Sequence, residues 1–287
     1  MSAGGDVLLM GAVAYDPKVV TIWEGFRRWF DERDFAFDFV LYSNYERQVE
    51  ELVAGRIDAA WNSPLAWVRA QRVARAGGGA VEALTMRDSD CDLTSVIVVR
   101  NDSDIAAVAD LRGRRIATGA IDSPQATLIP LGHLHAAGLE PDRDFEVHRF
   151  DVGVGLHGDH IGGERDAARA LVDGDVDAAC MIDGNHLAFT NDGTIPPGTT
   201  RIVAQTPSYD HCNMTVAADA PDRVRRFGEL LLAMSYADPE VRPLLDLEGL
   251  KEWKPGRTSG YGELERAVDT FGFYDQDGNV TATGYRP

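Results

Sequence analysis

Residues 51–61 read ELVAGRIDAAW, and residues 170–180 read ALVDGDVDAAC. Each run closes a helix at a glycine, Gly55 or Gly174. Each then opens a strand with Ile or Val, an Asp and two alanines. A helix stop followed by a short apolar strand is half of a strand-helix-strand unit. Its presence in both halves of a 287-residue chain implies two related α/β lobes. In open α/β sheets, ligands sit beyond the carboxyl ends of the strands. Those ends are Trp61-Asn62-Ser63 in one half and Met181-Ile182-Asp183 in the other. If the lobes face each other, both ends line one cleft.

Working outward, VLLMGAVA at 7–14 has the character of a first strand, with Tyr15 in the turn after it. VVTIWEGFRRWF at 19–30 spaces its apolar groups as an amphipathic helix. A strand is expected at 35–42, then a helix capped by Asn44 that ends at Gly55. RIDAAWN at 56–62 is a buried strand, and Ser63 with Pro64 opens the next helix, 63–76. Further strands are expected at 93–100, within 110–119, and at 146–152, 176–183, 199–207 and 210–218, with helices at 122–138 and 163–174. From Arg223 onward the pattern is mostly helical with a turn-rich tail. This alternation predicts an α/β fold with parallel strands and helices packed on them.

Composition narrows the function. The chain is 44% hydrophobic and 26% charged, ordinary for a globular protein. A formal net charge of −18 argues against nucleic-acid or anionic-membrane partners, which need clustered Lys and Arg. A small anion in a buried cleft stays compatible with it. The three cysteines, Cys91, Cys180 and Cys212, have no CxxC spacing and set no disulfide framework. The N-terminal stretch has no basic, long apolar or lipobox segment, so membrane insertion is not expected and a cytoplasmic location is. No P-loop, GxGxxG, GxSxG or EF-hand pattern occurs.

The runs NYERQVEELVAGRIDAAWNSPLAWVRA (44–70) and DSDIAAVADLRGRRIATGAIDSPQATLIPLGHLHAAGLEPDRDF (102–145) carry a wider pattern. From about residue 7 to about residue 216 the chain resembles the phosphonate/phosphate-type solute-binding proteins of ABC transporters. The resemblance implies the two-lobe type II periplasmic-binding fold, with crossovers near 93–99 and 212–216. Lobe one would then be residues 1–92 plus 214–287, and lobe two residues 93–213. It implies a small polar or anionic metabolite in the cleft, and ABC transporter subunits as partners if a leader has been removed. Such receptors carry a Ser-Thr-Ser-Gly turn that holds the oxyanion on hydroxyls and helix N-terminal amides. Here Ser123-Pro124-Gln125-Ala126 follows Asp122. One hydroxyl remains, Pro124 removes an N–H donor, and a carboxylate is added. The loop VGVGLHGDHIGGERDA at 152–167 is longer than the family pattern, and YDHCNMTV at 209–216 brings Asp210, His211, Cys212 and Asn213 to a crossover.

The ligand-binding candidates are therefore Tyr15, Tyr45, Trp61, Asn62, Ser63, Ser123, Gln125, His157, Asp183 and Asn213. Tyr45 stands where the family places a ligand-facing Tyr, and His157 where it also has His. A second function class is an enzyme on the same scaffold, a lyase, decarboxylase or hydrolase. His157 or His211 would be its acid/base and Cys212 its nucleophile. His157, His160 and His211 are the metal-ligand candidates, with a divalent metal as the candidate cofactor. The plainer alternatives are a polar loop capping the helix at Glu164, and a buried core cysteine at 212.

Overall fold

A computed structural model describes residues 7–159 and 161–287. The first half begins with β1 (Leu8–Val13), α1 (Lys18–Asp31), β2 (Phe37–Tyr42), α2 (Tyr45–Val53), β3 (Ala59–Asn62), α3 (Pro64–Ala76) and β4 (Val81–Arg87). The middle contains β5 (Ser95–Arg100), β6 (Arg115–Thr118), α4 (Ile129–Ala136), β7 (Glu146–Arg149), α5 (Gly162–Asp173), β8 (Ala178–Ile182), α6 (Asp183–Asn191) and β9 (Thr200–Gln205). The chain then returns through β10 (Asn213–Ala217), α7 (Asp222–Leu232), α8 (Arg242–Glu248), β11 (Trp253–Pro255) and α9 (Gly262–Phe271).

These strands form two sheets. One has the order β11-β4-β10-β3-β1-β2, the other β7-β6-β8-β5-β9. The pairs β1–β2, β1–β3, β6–β7 and β6–β8 are parallel, while β10, β11, β5 and β9 pair antiparallel with their neighbours. The chain passes between the sheets over residues 88–94 and 206–212, a few positions before the expected crossovers. The reason is burial: Val96, Ile97, Val98 and Val99 are fully buried in the centre of the second sheet, paired to β8 on one side and β9 on the other. A bridge between Leu93 and Tyr209 joins the two passing segments.

The repeated run has a structural cause. Gly55 and Gly174 both take left-handed backbone angles, φ 68° and 83°, which end the helix without a Cβ clash. In each copy the Asp then clamps the neighbouring strand. Asp58 Oδ2 accepts from the Leu9 N–H at 2.8 Å, and Asp177 Oδ2 accepts from the Arg115 N–H at 2.9 Å. The Asp58 and Asp177 N–H groups donate to the Leu9 and Arg115 carbonyls in turn. Each Asp thus fixes where β1 or β6 starts against β3 or β8.

Helix α1 buries Val19, Ile22, Trp23, Phe26 and Phe30, which recur every three or four residues along one face. They pack with Phe227 and Leu231 of α7 and with Trp253 of β11. Full burial of side chains this size contributes about 1.5–3 kcal/mol each. Two strands were not legible beforehand: β4, and β11 inside the stretch expected to be mostly helical. The helix expected at 122–138 begins as one π-helical turn, residues 124–128, before α4. Among the described residues no helix is long and apolar enough to cross a membrane.

Candidate functional site

Tyr45 and Ser63 follow the carboxyl ends of β2 and β3, while Ser123 and Gln125 lie in the turn that opens the 124–128 segment after β6. The loop at 153–159 packs across these turns, and His157 is its centre. Its Nδ1 lies 2.7 Å from Ser63 Oγ, its Nε2 lies 3.0 Å from Glu46 Oε1, and its ring stacks on Tyr45 with centroids 4.8 Å apart. Tyr274 and Tyr285, from the C-terminal tail, donate to the same Glu46 oxygen at 2.6 and 2.8 Å. All six side chains are buried. Burial opposes ionisation of Glu46, but the His157 charge and the hydrogen bonds from His157, Tyr274 and Tyr285 outweigh it and hold the carboxyl at about 2. Burial likewise opposes protonation of His157, and Glu46 outweighs it, so the imidazole is raised above its ordinary value. The two are an ion pair.

The loop's backbone is held by Asp122, whose Oδ2 accepts from the N–H groups of Gly155 at 2.6 Å and His157 at 3.1 Å. The carboxylate that sets this turn apart from the resembled pattern is therefore a loop anchor. Ser123 Oγ caps its own turn through the Ala126 N–H. Gly158, at φ 74°, packs so closely that a Cβ there would come within 2.4 Å of Ser123 Oγ and 2.7 Å of Gln125 Nε2. The loop's own backbone thus fills the mouth of the Ser123 turn.

A second cluster lies on the crossover segments. His211 Nδ1 is 3.1 Å from Cys212 Sγ and 3.5 Å from Asp90 Oδ1. His211 Nε2 is 3.4 Å from Gln125 Oε1. Arg87 holds both Asp90 oxygens at 2.5 and 2.9 Å and reaches Glu248 Oε1 at 3.3 Å, with its guanidinium 5.2 Å from the centre of the Trp61 ring. Burial disfavours the Asp90 charge, but Arg87 outweighs it and holds the carboxyl at about 2. Burial of Glu248, only partly offset by Arg87, pushes that carboxyl up to about 7. Burial and then the Asp159 and Asp90 charges push the Cys212 thiol well up. Tyr45 donates to Asp159 Oδ2, linking the two clusters.

The sequence candidates therefore divide. Tyr45, Ser63, Ser123, Gln125 and His157 come together around the loop, and His211 and Cys212 adjoin it through Gln125. Tyr15 is half-buried and its hydroxyl feels Glu248 and Asp159, which puts it at the same locus. Trp61 is buried under Arg87 and against Trp253. Asn62 and Asn213 are absorbed in an internal chain: Gln48 to Asn62, Asn62 to Thr215, Thr215 to Asn213, and Asn213 to Tyr261. Asp183 is exposed at the start of α6, apart from these clusters. His160 lies outside the described residues. His157 and His211 do not share a metal site: both ring nitrogens of His157 face Ser63 and Glu46, and His211 groups instead with Asp90 and Cys212. A catalytic Cys212 has no support either, because a nucleophile needs a lowered thiol pKa and this one is raised.

Residues that sequence reasoning missed are Glu46, Asp90, Arg87, Glu248, Tyr274 and Tyr285. Arg87 closes a strand that was not recognised, and the two tyrosines sit in a tail that read only as turns. Glu46 alone carried a signal, as the neighbour of Tyr45 at a helix start.

Comparison with known proteins bears on the fold and the family. The family model for the ABC transporter, phosphonate, periplasmic substrate-binding protein matches residues 12–261. Among solved structures, PhnD1 of Prochlorococcus marinus in complex with methylphosphonate superposes with a TM-score of 0.68 at 18% identity, covering 93% of this chain and 98% of that one. XAC2383 of Xanthomonas citri bound to ATP gives 0.71 at 18% identity, with the same coverages of 93% and 98%. The periplasmic aliphatic sulphonate binding protein SsuA of Escherichia coli gives 0.58 at 18%, covering 93% of this chain and 91% of that one. At such identity these likenesses establish the fold, the type II periplasmic-binding architecture. The family match extends over most of the chain, and the protein belongs to the phosphonate-type periplasmic substrate-binding proteins of ABC transporters.

Proposed function

We propose that the protein closes its two lobes on a small oxyanion of the phosphonate or sulfonate kind and hands it to a membrane transporter. One observation carries this reading: Ser63 and Ser123, each capping a helical segment on a different sheet, converge on the single loop that holds His157. Helix N-termini favour anions through their dipole and unsatisfied N–H groups. His157, raised above its ordinary value, supplies a positive charge between them. In the present arrangement Glu46 neutralises that charge and Gly158 fills the Ser123 turn. Ligand entry then requires the 153–159 loop to shift, exchanging the internal contacts for contacts to the oxyanion. The net charge of −18 is compatible with an anion held in a buried cleft and not on the outer surface.

The reading is tested by thermal unfolding with methylphosphonate, ethanesulfonate and inorganic phosphate. A ligand present at 100 times its Kd stabilises the native state by about 2.7 kcal/mol. At least one of these anions should raise the melting temperature, and Ser63→Ala with Tyr45→Phe should weaken that response. If none of the three shifts the melting curve at millimolar concentration, the oxyanion assignment fails.

A further inference from the structure

We propose that Asp90, His211 and Cys212 form a binding site for a divalent transition-metal ion, zinc by its donor chemistry, that ties the two crossover segments together. Their donor atoms all lie within 4.8 Å of one another, and all three side chains are buried. A tetrahedral zinc site with sulfur, nitrogen and oxygen at their usual bond lengths has ligand-to-ligand edges of about 3.4–3.6 Å. Two of the three edges are close to this, with His211 Nδ1 3.1 Å from Cys212 Sγ and 3.5 Å from Asp90 Oδ1, and the third is no longer than 4.8 Å. Thiolate, imidazole and carboxylate together suit zinc better than calcium or magnesium, which prefer all-oxygen shells.

The orientation of the imidazole is the independent argument. Gln125 uses its amide N–H groups on Gly158 O at 2.8 Å and Glu164 Oε1 at 3.3 Å. That fixes the amide so that Oε1 faces His211 Nε2, which must then carry a hydrogen. In the neutral ring Nδ1 is left with its lone pair, aimed at a sulfur and at a carboxylate oxygen. Three possible donor atoms thus lie side by side. A ligating histidine usually donates its other N–H to an oxygen, as this one does. Asp90 is oriented in the same way, by Arg87. The Cys212 thiolate and Asp90 would together match the two charges of the cation.

The placement gives the site a role. Asp90 lies in the first crossover segment, and His211 and Cys212 lie in the second, already joined by the His211 N–H to the Asp90 carbonyl at 2.8 Å. A metal there would pin together the two segments that join the sheets. Three protein donors also leave a fourth position for a water.

The test is cobalt(II) titration of the full chain after chelator treatment. One equivalent should produce a thiolate-to-cobalt charge-transfer band in the near-ultraviolet. Cys212→Ser should abolish the band, while Cys91→Ser should keep it. Gln125→Leu should weaken cobalt affinity roughly 10- to 100-fold through loss of the ring-orienting contact. Zinc should raise the melting temperature of the unmodified protein and leave that of Cys212→Ser unchanged, which also verifies that the variant folds. No charge-transfer band at stoichiometric cobalt, or a band that survives Cys212→Ser, would overturn the site.

Discussion

Glu46 Oε1 lies 3.0 Å from His157 Nε2, with both side chains buried, and this contact joins helix α2 to a loop 111 residues away. Removing one partner of a buried ion pair leaves the other uncompensated, at a cost of about 3–5 kcal/mol. Glu46→Gln keeps the size and an acceptor oxygen for Tyr274 and Tyr285 but removes the charge. The urea midpoint should fall by a corresponding amount. A midpoint within error of the unmodified protein would show that the pair carries no net charge interaction.

The buried carboxyls set opposing pH limits. Glu46 and Asp90 are held at about 2, below their ordinary values near 4.5 and 3.8. Their contribution to stability is present above those ordinary values and is lost as pH falls through about 2. Glu248 is held at about 7, above its ordinary 4.5. Its contribution is fully present below 4.5 and is lost as pH rises through 7, on the order of 3 kcal/mol in all. Asp159, Glu164 and Asp122 are also raised by burial, and His157 by Glu46, so they act in the same direction as Glu248. Urea midpoints measured across the range should peak near about pH 5. Glu248→Gln should flatten the decline between 5 and about 7. A profile rising steadily to pH 8 contradicts the assignment.

Gly158 is required by its neighbours as well as by its φ of 74°. A left-handed angle costs a residue with a Cβ about 1–2 kcal/mol. The added methyl would also meet Ser123 Oγ at 2.4 Å. Gly158→Ala should therefore displace the 153–159 loop, lowering the melting temperature and changing affinity for the oxyanion that the cleft takes. Gly55→Ala has open space around its Cβ and a similar φ of 68°, so it isolates the backbone cost. If the two variants lose equal stability, the Gly158 packing contact contributes nothing.

How much of this was legible in advance follows from where each signal resides. Helix stops, caps and buried strands are local, so the Gly55 and Gly174 stops, the Ser63 cap and β3 and β8 could be read from neighbouring residues. The strand β4, running as VEALTMR, alternates too loosely to separate from a helix end, and it is strand only because β10 and β11 pair with it. The site is less legible still. Tyr45, Ser63 and Ser123 were visible because each sits near a strand end or a helix start, and His157 because the resembled family also has a His there. Glu46, Arg87, Tyr274 and Tyr285 join them across 228 or 239 residues of sequence in the tyrosine cases, a closeness no local pattern encodes. Asn62 and Asn213 held the right positions for a cleft, but the internal chain through Thr215 and Tyr261 took their amides.

The two strand-clamping aspartates give the most direct check on the internal repeat. Asp58 and Asp177 make the same pair of contacts to Leu9 and Arg115: the carboxylate accepts from the Leu9 or Arg115 N–H, and the Asp N–H donates to the same residue's carbonyl. The bond to the charged carboxylate contributes about 1.5–3 kcal/mol. Asp177→Ala should cost that amount. Asp58→Ala should cost more, because its other oxygen accepts a hydrogen bond from Arg223, whereas Asp177 faces the Arg115 guanidinium only at 3.6 Å. Asn at either position keeps an acceptor oxygen and should recover part of the loss. Chemical denaturation of the four variants measures the order. If Asp177→Ala falls within about 0.5 kcal/mol of the unmodified protein, as changes at unconstrained surface positions do, the DAA repeat reflects composition and not a shared strand clamp.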